Sequence, residues 1–259
     1  NHNRDKKLAF ELIDAAVDAK ADAVKFQIYS AETLYSKKTP RRTDRNKTPW
    51  ETIKEVETPR DWIPELKQYC DSQGIIFFAT PFDEKAVEEL HASNVELFKV
   101  ASFEIVDLLL LKSIAEKQKP IIISTGLANM EEIEDAFVTC KAVGNVDIVL
   151  LQCASIYPAQ PEIMNMNSMA TLRKAFGVLT GLSDHTLGTH IPVAATGMGA
   201  SVIEKHFTIS RKLEGPDHPF AVEPGELHEM IKNIRDVEKA MGDGTKFGPS
   251  SSEIEAYNL

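Results

Sequence analysis

Short apolar runs rich in β-branched residues recur along the chain, and they constrain its fold more than any other feature. Seven such runs are predicted to be strands: residues 23–28, 75–80, 97–101, 120–124, 146–153, 178–182 and 201–207. Segments between them place apolar residues at helical spacing, as residues 8–17 do. Because the strand segments are almost continuously apolar, we expect both of their faces to be covered, as in a parallel sheet, which a barrel or an open doubly wound sheet would satisfy. The alternation therefore indicates an α/β protein.

The positions of the polar residues distinguish a closed barrel from an open sheet. An open doubly wound sheet concentrates its site at one switch point and commonly carries a Gly-x-Gly-x-x-Gly turn. That turn follows none of the predicted strands, whereas polar side chains follow almost all of them. Functional groups at the carboxyl ends of many strands are typical of the TIM (β/α)8 barrel. We therefore predict a TIM barrel over residues 1–241.

The predicted barrel lacks one strand, and two polar stretches need separate assignment. The chain opens directly before its first predicted helix, so we expect the first strand to be missing from this chain. Seven strands leave an open edge for an upstream segment or a partner chain to cover. Residues 242–259 begin with a Gly- and Ser-rich stretch and are predicted to be a linker. Residues 35–56 form a long polar loop, either a lid or a solvated loop without a role.

Composition and charge exclude several classes of protein. The formal net charge of −10 argues against nucleic acid or an anionic membrane surface as the main partner. No apolar run approaches the roughly 20 residues that span a bilayer, and the polar start is unlike a signal peptide. We therefore expect a cytoplasmic protein. Cys70, Cys140 and Cys153 are widely separated, which predicts reduced, buried thiols and no disulfide framework or zinc site.

Two histidines end consecutive predicted strands. His185 follows Gly-Leu-Ser-Asp, and His206 follows Ile-Glu-Lys. Barrel geometry would bring both rings within reach of one ion. Two imidazoles with open positions for water and substrate oxygens suit Mn²⁺ or a similar divalent ion better than a closed zinc site. In the alternative interpretation, a neighbouring backbone carbonyl satisfies each ring.

Two lysines lie inside apolar runs, where an unpaired charge would be costly to bury. Lys25 and Lys99 must therefore meet an anion or a carboxylate. One interpretation is Schiff-base chemistry by a lysine of lowered pKa. The favoured one is a clamp for a small phosphorylated acid, and ion pairing with barrel carboxylates is the structural alternative. Hydroxyl groups at strand ends would complete the clamp, from Thr80, Ser102, Ser124 and Ser183.

Two glutamates and a tyrosine complete the set that the residues alone suggest. Glu104 and Glu204 lie at strand ends, where a general acid or base or a partner for a sugar hydroxyl is needed. Each is equally placed to pair with a lysine. Tyr157 offers a flat apolar face with one polar tip, which suits a sugar ring at the mouth of a barrel.

Nine short motifs occur in one order along nearly the whole chain. They are Asn1-His2-Asn3, Lys25-Phe26-Gln27, Thr80-Pro81-Phe82, Lys99-Val100-Ala101-Ser102, Ser124-Thr125-Gly126, residues 153–158, residues 181–186, residues 204–208 and Gly215-Pro216-Asp217. In this order they resemble the sialic acid synthase family, which includes N-acetylneuraminate synthase and its relatives for pseudaminic, legionaminic and spore-coat sugars. The motifs at 181–186 and 204–208 make the resemblance most specific.

The resemblance implies a reaction and a role for each residue. Family members are TIM barrels that condense phosphoenolpyruvate with an N-acetylated hexose such as N-acetylmannosamine and release phosphate by C–O cleavage. It implies a divalent metal, Mn²⁺ first with Mg²⁺ or Co²⁺ as alternatives, on His185 and His206. Phosphoenolpyruvate contacts are implied for Lys25, Thr80, Lys99, Ser102, Ser124 and Ser183. Sugar contacts are implied for Gln27, Glu104, Tyr157 and Asp217, and we add Asn3 and Ser155 to the predicted substrate-binding residues. The predicted catalytic residues are Glu104, Glu204, Lys25 and Lys99.

Departures from the family pattern leave alternatives open. Ser155 stands where sialic acid synthases usually have asparagine, and residues 215–220 look more like the spore-coat branch, so the acceptor sugar stays undecided. The family's antifreeze-like C-terminal domain, which the linker would precede, helps to hold a homodimer in relatives, and we expect a homodimer here. The alternative functions are another phosphoenolpyruvate or pyruvate aldol-type barrel enzyme, and a binding-only barrel without turnover.

Overall fold

The computed structural model describes residues 1–41, 43, 46–246 and 248–257. Within these residues, seven strands form one parallel sheet in the order β1-β2-β3-β4-β5-β6-β7. The strands are β1 (Ala23–Ile28), β2 (Ile76–Pro81), β3 (Phe98–Val100), β4 (Ile121–Ser124), β5 (Ile148–Cys153), β6 (Leu179–Asp184) and β7 (Ile203–Lys205). All seven lie within the predicted runs or extend them by one or two residues. The sheet curls, and its chain order is that of a TIM barrel.

One helix of eight residues or more precedes β1, and at least one follows each strand. These outer helices are α1 (Lys6–Asp18), α4 (Ile63–Gln73), α5 (Glu84–Ala92), α6 (Leu108–Ala115), α7 (Met130–Ala142), α8 (Ser168–Phe176), α9 (His190–Gly197) and α10 (Pro224–Met241). Three further helices are additional to this ring: α2 (Ala31–Leu34) and α3 (Pro49–Val56), between β1 and α4, and α11 (Ser251–Tyr257), after α10. The described residues therefore place eight outer helices around seven strands.

The barrel is open between β1 and β7. Helix α10 packs against both α9 and α1, so the helical ring continues past the point where the sheet stops. A cavity of about 460 Å³ lies at this point, lined by both sheet edges and by apolar side chains of α1 and α10 such as Leu12 and Met230. The predicted α/β barrel with one strand position open is therefore confirmed.

The main hydrophobic core lies between the sheet and the helices on its β1–β5 side. Phe77 and Phe98 are fully buried there, and Ile13 and Leu66 reach the same cluster from α1 and α4. Both faces are covered in β3, where every residue is buried, and in β2, where every residue after Ile76 is buried, as predicted. The three cysteines are free and buried, as predicted.

Two segments depart from the predicted boundaries. The run 201–207 forms regular strand only over Ile203–Lys205, because beyond it the backbone pairs with Val222, whose N–H donates to the His206 carbonyl at 2.9 Å. The loop predicted for residues 35–56 contains α3, which begins with a capping box between Thr48 and Glu51. A lid at 35–56 remains a prediction, and residues 42, 44 and 45 of it lie outside the described residues.

The region predicted to be a linker contains α11, which was not predicted and whose side chains are all exposed. Residues 247, 258 and 259 of this region lie outside the described residues. Across the part of the chain that the structure covers, no helix combines the length and the apolar character needed to cross a membrane.

Gly181 allows the close approach of β6 and β7. A Cβ atom there would lie 2.1 Å from the Val202 carbonyl oxygen and 2.9 Å from Leu151 Cδ2. That carbonyl also accepts the ladder bond from the Leu182 N–H at 2.9 Å, so it cannot move without breaking the pairing. We expect Gly181→Ala to lower the free energy of unfolding by about 2–3 kcal/mol, measured by urea denaturation.

Gly225→Ala is the matched control for this substitution. Gly225 lies in the first turn of α10, and no atom lies within 4 Å of the position a Cβ would take. Alanine there should leave stability unchanged or raise it by up to about 1 kcal/mol. Equal urea midpoints for the two variants would contradict the steric account.

Candidate active site

The predicted site residues meet at one rim of the barrel. All strand pairs are parallel, so the carboxyl ends of all seven strands point to the same end. Strand β1 supplies Lys25 and Gln27, β3 supplies Lys99, and β7 supplies Glu204. Functional groups in TIM barrels gather at this end for the same topological reason.

Glu204 lies between the two lysines. Lys25 Nζ donates to Glu204 Oε1 at 2.7 Å, and Lys99 Nζ lies 3.9 Å from Glu204 Oε2. The Ser183 hydroxyl donates to the same Glu204 Oε1 at 3.3 Å. Burial alone would raise the pKa of Glu204, but the two lysines outweigh it and lower that pKa to about 2. Glu204 is therefore an ionised counter-charge, and the ion-pair alternative for the lysines is present in this structure.

One carboxylate does not neutralise two ammonium groups. Lys99 is 1% exposed, and its Nζ donates to the Ser124 hydroxyl and the Val100 carbonyl, each at 2.7 Å. Burial lowers the pKa of Lys99 to about 8, against the attraction of Glu204, so the amine is still mostly protonated at neutral pH. The cluster of Lys25, Lys99 and Glu204 thus carries a positive charge in excess, which suits a small anion.

Three buried polar atoms around this cluster have no hydrogen-bond partner within the described residues. They are Thr80 Oγ1, Glu104 Oε2 and Ser155 Oγ. Buried polar groups are nearly always bonded, so such atoms need a ligand or a water to satisfy them. Burial raises the pKa of Glu104 to about 7, partly offset by Lys99. This carboxyl group can therefore hold or release a proton near neutral pH.

Gly126 lets two site serines close over the end of β4. Its N–H donates to Ser102 Oγ at 3.1 Å. A Cβ atom at this position would lie 2.4 Å from Ser155 Oγ and 2.9 Å from Ser102 Oγ. A larger residue would therefore displace two of the predicted substrate-binding hydroxyls.

The two histidines meet as predicted. The ring centroids of His185 and His206 are 5.3 Å apart, and the Tyr157 ring packs 4.2 Å from that of His185. His185 Nδ1 lies 2.7 Å from the Ala154 carbonyl oxygen, and His206 Nδ1 lies 3.5 Å from Asp217 Oδ2. Burial would raise the pKa of Asp217, but the contact with His206 outweighs it and keeps that pKa low.

These contacts engage Nδ1 of each ring, which leaves Nε2 as the nitrogen that could bind a divalent ion; a metal on the two histidines remains a prediction. A metal-binding histidine typically places its other ring nitrogen against a carbonyl or carboxylate, as both Nδ1 atoms are here. Within the described residues, no group of three or more His, Cys, Asp or Glu side chains is placed to hold a metal. The donor set therefore suits an open site completed by water and substrate oxygens, and it does not suit a closed structural zinc site.

The cavity between β1 and β7 adjoins this rim. Lys25, Gln27, Glu204, His206 and Asp217 all line it. The cavity joins the ion cluster to the histidine and aspartate pair, so a ligand there could contact both.

Asn3 is engaged elsewhere. Its Nδ2 donates to the Glu214 carbonyl at 2.8 Å, and its Oδ1 lies 3.1 Å from His218 Nε2. Both ends of the amide therefore hold the loop that carries Asp217. A substrate contact by Asn3 remains a prediction.

Sequence reasoning missed two features of the site. Cys153, which we did not assign to the site, places its sulfur 3.8 Å from His185 Nδ1. Burial raises the pKa of this thiol, but hydrogen bonds from His185 and two serines outweigh it and lower that pKa. Its position at the end of β5 was the available signal. The second feature is a buried ion pair between Asp184 and Lys205, residues that directly precede the two histidines.

Two relatives match the chain over almost its whole length. The N,N'-diacetyllegionaminic acid synthase of Campylobacter jejuni is 41% identical over 267 residues, which cover 100% of this chain and 80% of that protein. The pseudaminic acid synthase of Helicobacter pylori is 40% identical over 94% of this chain and 73% of that protein.

A solved structure and a family model agree with these relatives. The N-acetylneuraminic acid synthetase of Leptospira borgpetersenii, solved with citrate, superposes with a TM-score of 0.89 at 35% identity, covering 100% of this chain and 87% of that one. The model of the NeuB family matches residues 12–246. The chain belongs to the NeuB family, whose members named here are synthases of sialic-type acids.

Proposed function

We propose that this protein condenses phosphoenolpyruvate with an N-acetylated hexose to give a nonulosonic acid and inorganic phosphate. The observation that carries the proposal is the excess positive charge of Lys25, Lys99 and Glu204 beside the His185–His206 pair. Phosphoenolpyruvate carries a carboxylate and a phosphate, so it is an anion of the kind such a cluster attracts. The three relatives compared above, synthases of legionaminic, pseudaminic and N-acetylneuraminic acid, support the same reaction.

The lysines and hydroxyls would bind phosphoenolpyruvate. Lys99 and Ser124 already share a hydrogen bond, and Thr80 Oγ1 is buried without a partner in the described residues, so this group of donors is held ready for anionic oxygens. Donors fixed before the reaction stabilise developing charge without reorganisation. Lysines in this role need form no covalent bond with the substrate.

A divalent ion on His185 and His206, with Mn²⁺ our first choice, would polarise the aldehyde oxygen of the open-chain sugar. The protein's part is to orient the rings, through the Ala154 carbonyl and Asp217. Tyr157, 45% exposed and packed on His185, offers its ring face to the sugar.

C3 of phosphoenolpyruvate forms a bond to the aldehyde carbon, and the aldehyde oxygen takes up a proton to become a hydroxyl. Water adds to C2 and gives up one proton. The C2–O bond to phosphate then breaks, and the remaining hydroxyl proton on C2 passes to the departing phosphate, which leaves a keto acid and inorganic phosphate. One proton is consumed and one released, so a single buried acid with a pKa of about 7 can serve both steps. We assign this role to Glu104.

Ser155 and its neighbours would face the acceptor. The Ser155 hydroxyl is buried without a partner in the described residues, which leaves it free to bond a polar sugar substituent. N-acetylmannosamine and diacetamido-hexoses are both candidates, since the relatives include synthases of N-acetylneuraminic acid and of N,N'-diacetyllegionaminic acid.

Turnover tests the proposed reaction directly. We expect the protein to release phosphate from phosphoenolpyruvate with Mn²⁺ and one acceptor from a panel of N-acetylmannosamine and diacetamido-hexoses. Chelation with EDTA should stop release, and added Mn²⁺ should restore it. His206→Ala should lower the rate at least about 100-fold, because the variant would lack one of the two rings that bind the ion. Release is measured as inorganic phosphate.

His91→Ala is the matched control, since His91 lies exposed on α5 and away from the rim. Its rate should equal that of the wild type. Binding of phosphoenolpyruvate without release, across the panel, would favour the binding-only barrel. Trapping of pyruvate on the protein by borohydride would instead indicate a Schiff-base lyase.

A further prediction concerns the ionisation of Glu104. Its pKa is raised from 4.5 to about 7 in the folded protein, so between these pH values the unfolded chain releases a proton that the folded protein retains. The contribution of Glu104 to the free energy of unfolding is therefore fully present below pH 4.5, and it is lost as the pH rises through about 7. From about pH 5 to pH 8, the wild type should lose on the order of 2 kcal/mol more unfolding free energy than Glu104→Gln.

Urea denaturation of both proteins at the two pH values measures this difference. Glu134→Gln, at an exposed position of α7, is the control and should follow the wild type. Identical pH dependence in wild type and Glu104→Gln would show that Glu104 titrates at an ordinary pKa. The proton-transfer role would then fall with it.

A further inference from the structure

A buried ion pair lies directly behind the two histidines. Lys205 Nζ contacts Asp184 Oδ2, and the two side chains are 3% and 0% exposed. Asp184 and Lys205 are register partners at the ends of β6 and β7. They occupy the positions directly before His185 and His206 in the chain.

The pair faces away from the site. Side chains alternate between the two faces of a strand. Glu204 and His206, on either side of Lys205, face the rim, where Glu204 contacts Lys25. Lys205 therefore points towards the helices, where it also lines the cavity between β1 and β7, and its charge is met by Asp184. Nothing in the proposed reaction uses either charge directly.

The pair does hold the turn that carries His185. Thr186, the residue after His185, donates from its N–H to Asp184 Oδ1 at 3.0 Å and from its hydroxyl to Asp184 Oδ2 at 3.1 Å. Its carbonyl accepts from Lys205 Nζ at 2.7 Å. Every polar group of Thr186 is thus bonded to the ion pair, so the backbone on both sides of the His185 ring is fixed relative to β7.

Stability alone is a poor reason for such a pair. Replacing a buried ion pair with apolar residues of similar volume is often neutral or stabilising, because the pair no longer has to be desolvated. What apolar residues cannot reproduce is the directional bonding to Thr186. The contribution specific to the ions is therefore geometric.

We propose that Asp184 and Lys205 are positioning residues that set the spacing and orientation of His185 and His206 for a divalent cation. The inference rests on the proposed cation role of the histidines, and it adds that cation affinity depends on a pair that contacts neither cation nor substrate. Partners that orient metal ligands typically change affinity by 10–100-fold when removed.

The test compares Mn²⁺ binding with folding. In Asp184→Leu/Lys205→Met both charges are replaced together, so no unpaired buried charge is left to unfold the protein. We expect this variant to keep a cooperative thermal transition and to bind Mn²⁺ at least about tenfold more weakly, by calorimetry without substrates. The visible spectrum of bound Co²⁺ should also change. The single variant Lys205→Arg keeps the charge and the donors. Its Mn²⁺ affinity should therefore lie between that of the double variant and that of the wild type.

Lys67→Met is the matched control. Lys67 is also largely buried and pairs with Asp71 at 2.6 Å and Glu96 at 3.1 Å, but it lies on the outer helix α4. Its Mn²⁺ affinity and Co²⁺ spectrum should match the wild type. Wild-type Mn²⁺ affinity in a folded Asp184→Leu/Lys205→Met protein would overturn the inference.

Phosphate release, measured in parallel, separates this inference from the proposed function. Release by the wild type, with unchanged Mn²⁺ affinity in the double variant, overturns the positioning role and leaves the reaction standing. A wild type that binds Mn²⁺ but releases no phosphate, with weakened binding in the double variant, supports the positioning role and overturns the reaction. A wild type that binds no divalent cation overturns the positioning role as well.

Discussion

The hydrogen-bonded ion pair between Lys25 and Glu204 joins the two open edges of the sheet, and the site is organised around it. Strands β1 and β7 share no ladder in the described residues, so this 2.7 Å contact links them where backbone pairing does not. Because both side chains are largely buried, the attraction is less screened than at a surface. The same carboxylate also faces Lys99 across the barrel. One contact therefore ties the open edges together and fixes where the positive charge collects.

Much of the fold and part of the site could be predicted because they depend on local pattern and on topology. Apolar runs predicted the strands. Parallel strands place their carboxyl ends together, whatever side chains they carry. That rule alone brings Lys25, Lys99, Glu204 and the two histidines to one rim. Helix α3 was missed because its surroundings are polar, although Thr48, Pro49 and Glu51 form a recognisable start of a helix.

The remaining features depend on contacts between residues far apart in sequence, which a single chain does not reveal. Strand alternation predicts which face Lys205 occupies, but not that Asp184 on the neighbouring strand receives its charge. The register between β6 and β7 decides that pairing. Likewise, only the folded structure explains the glycine at 126, because a Cβ atom there would collide with two serine hydroxyls.

Because side chains alternate between the two faces of β6 and β7, the charged residues on the two faces have different roles. On the rim side, Glu204 is shared between two lysines and leaves positive charge in excess for an anion. On the helix side, Asp184 and Lys205 neutralise each other and bond the turn after His185. Since the opposite-face pair is self-contained, it can stiffen the histidine positions without adding charge to the ligand site. The excess positive charge on the rim therefore arises from Lys25 and Lys99, which share the single carboxylate of Glu204.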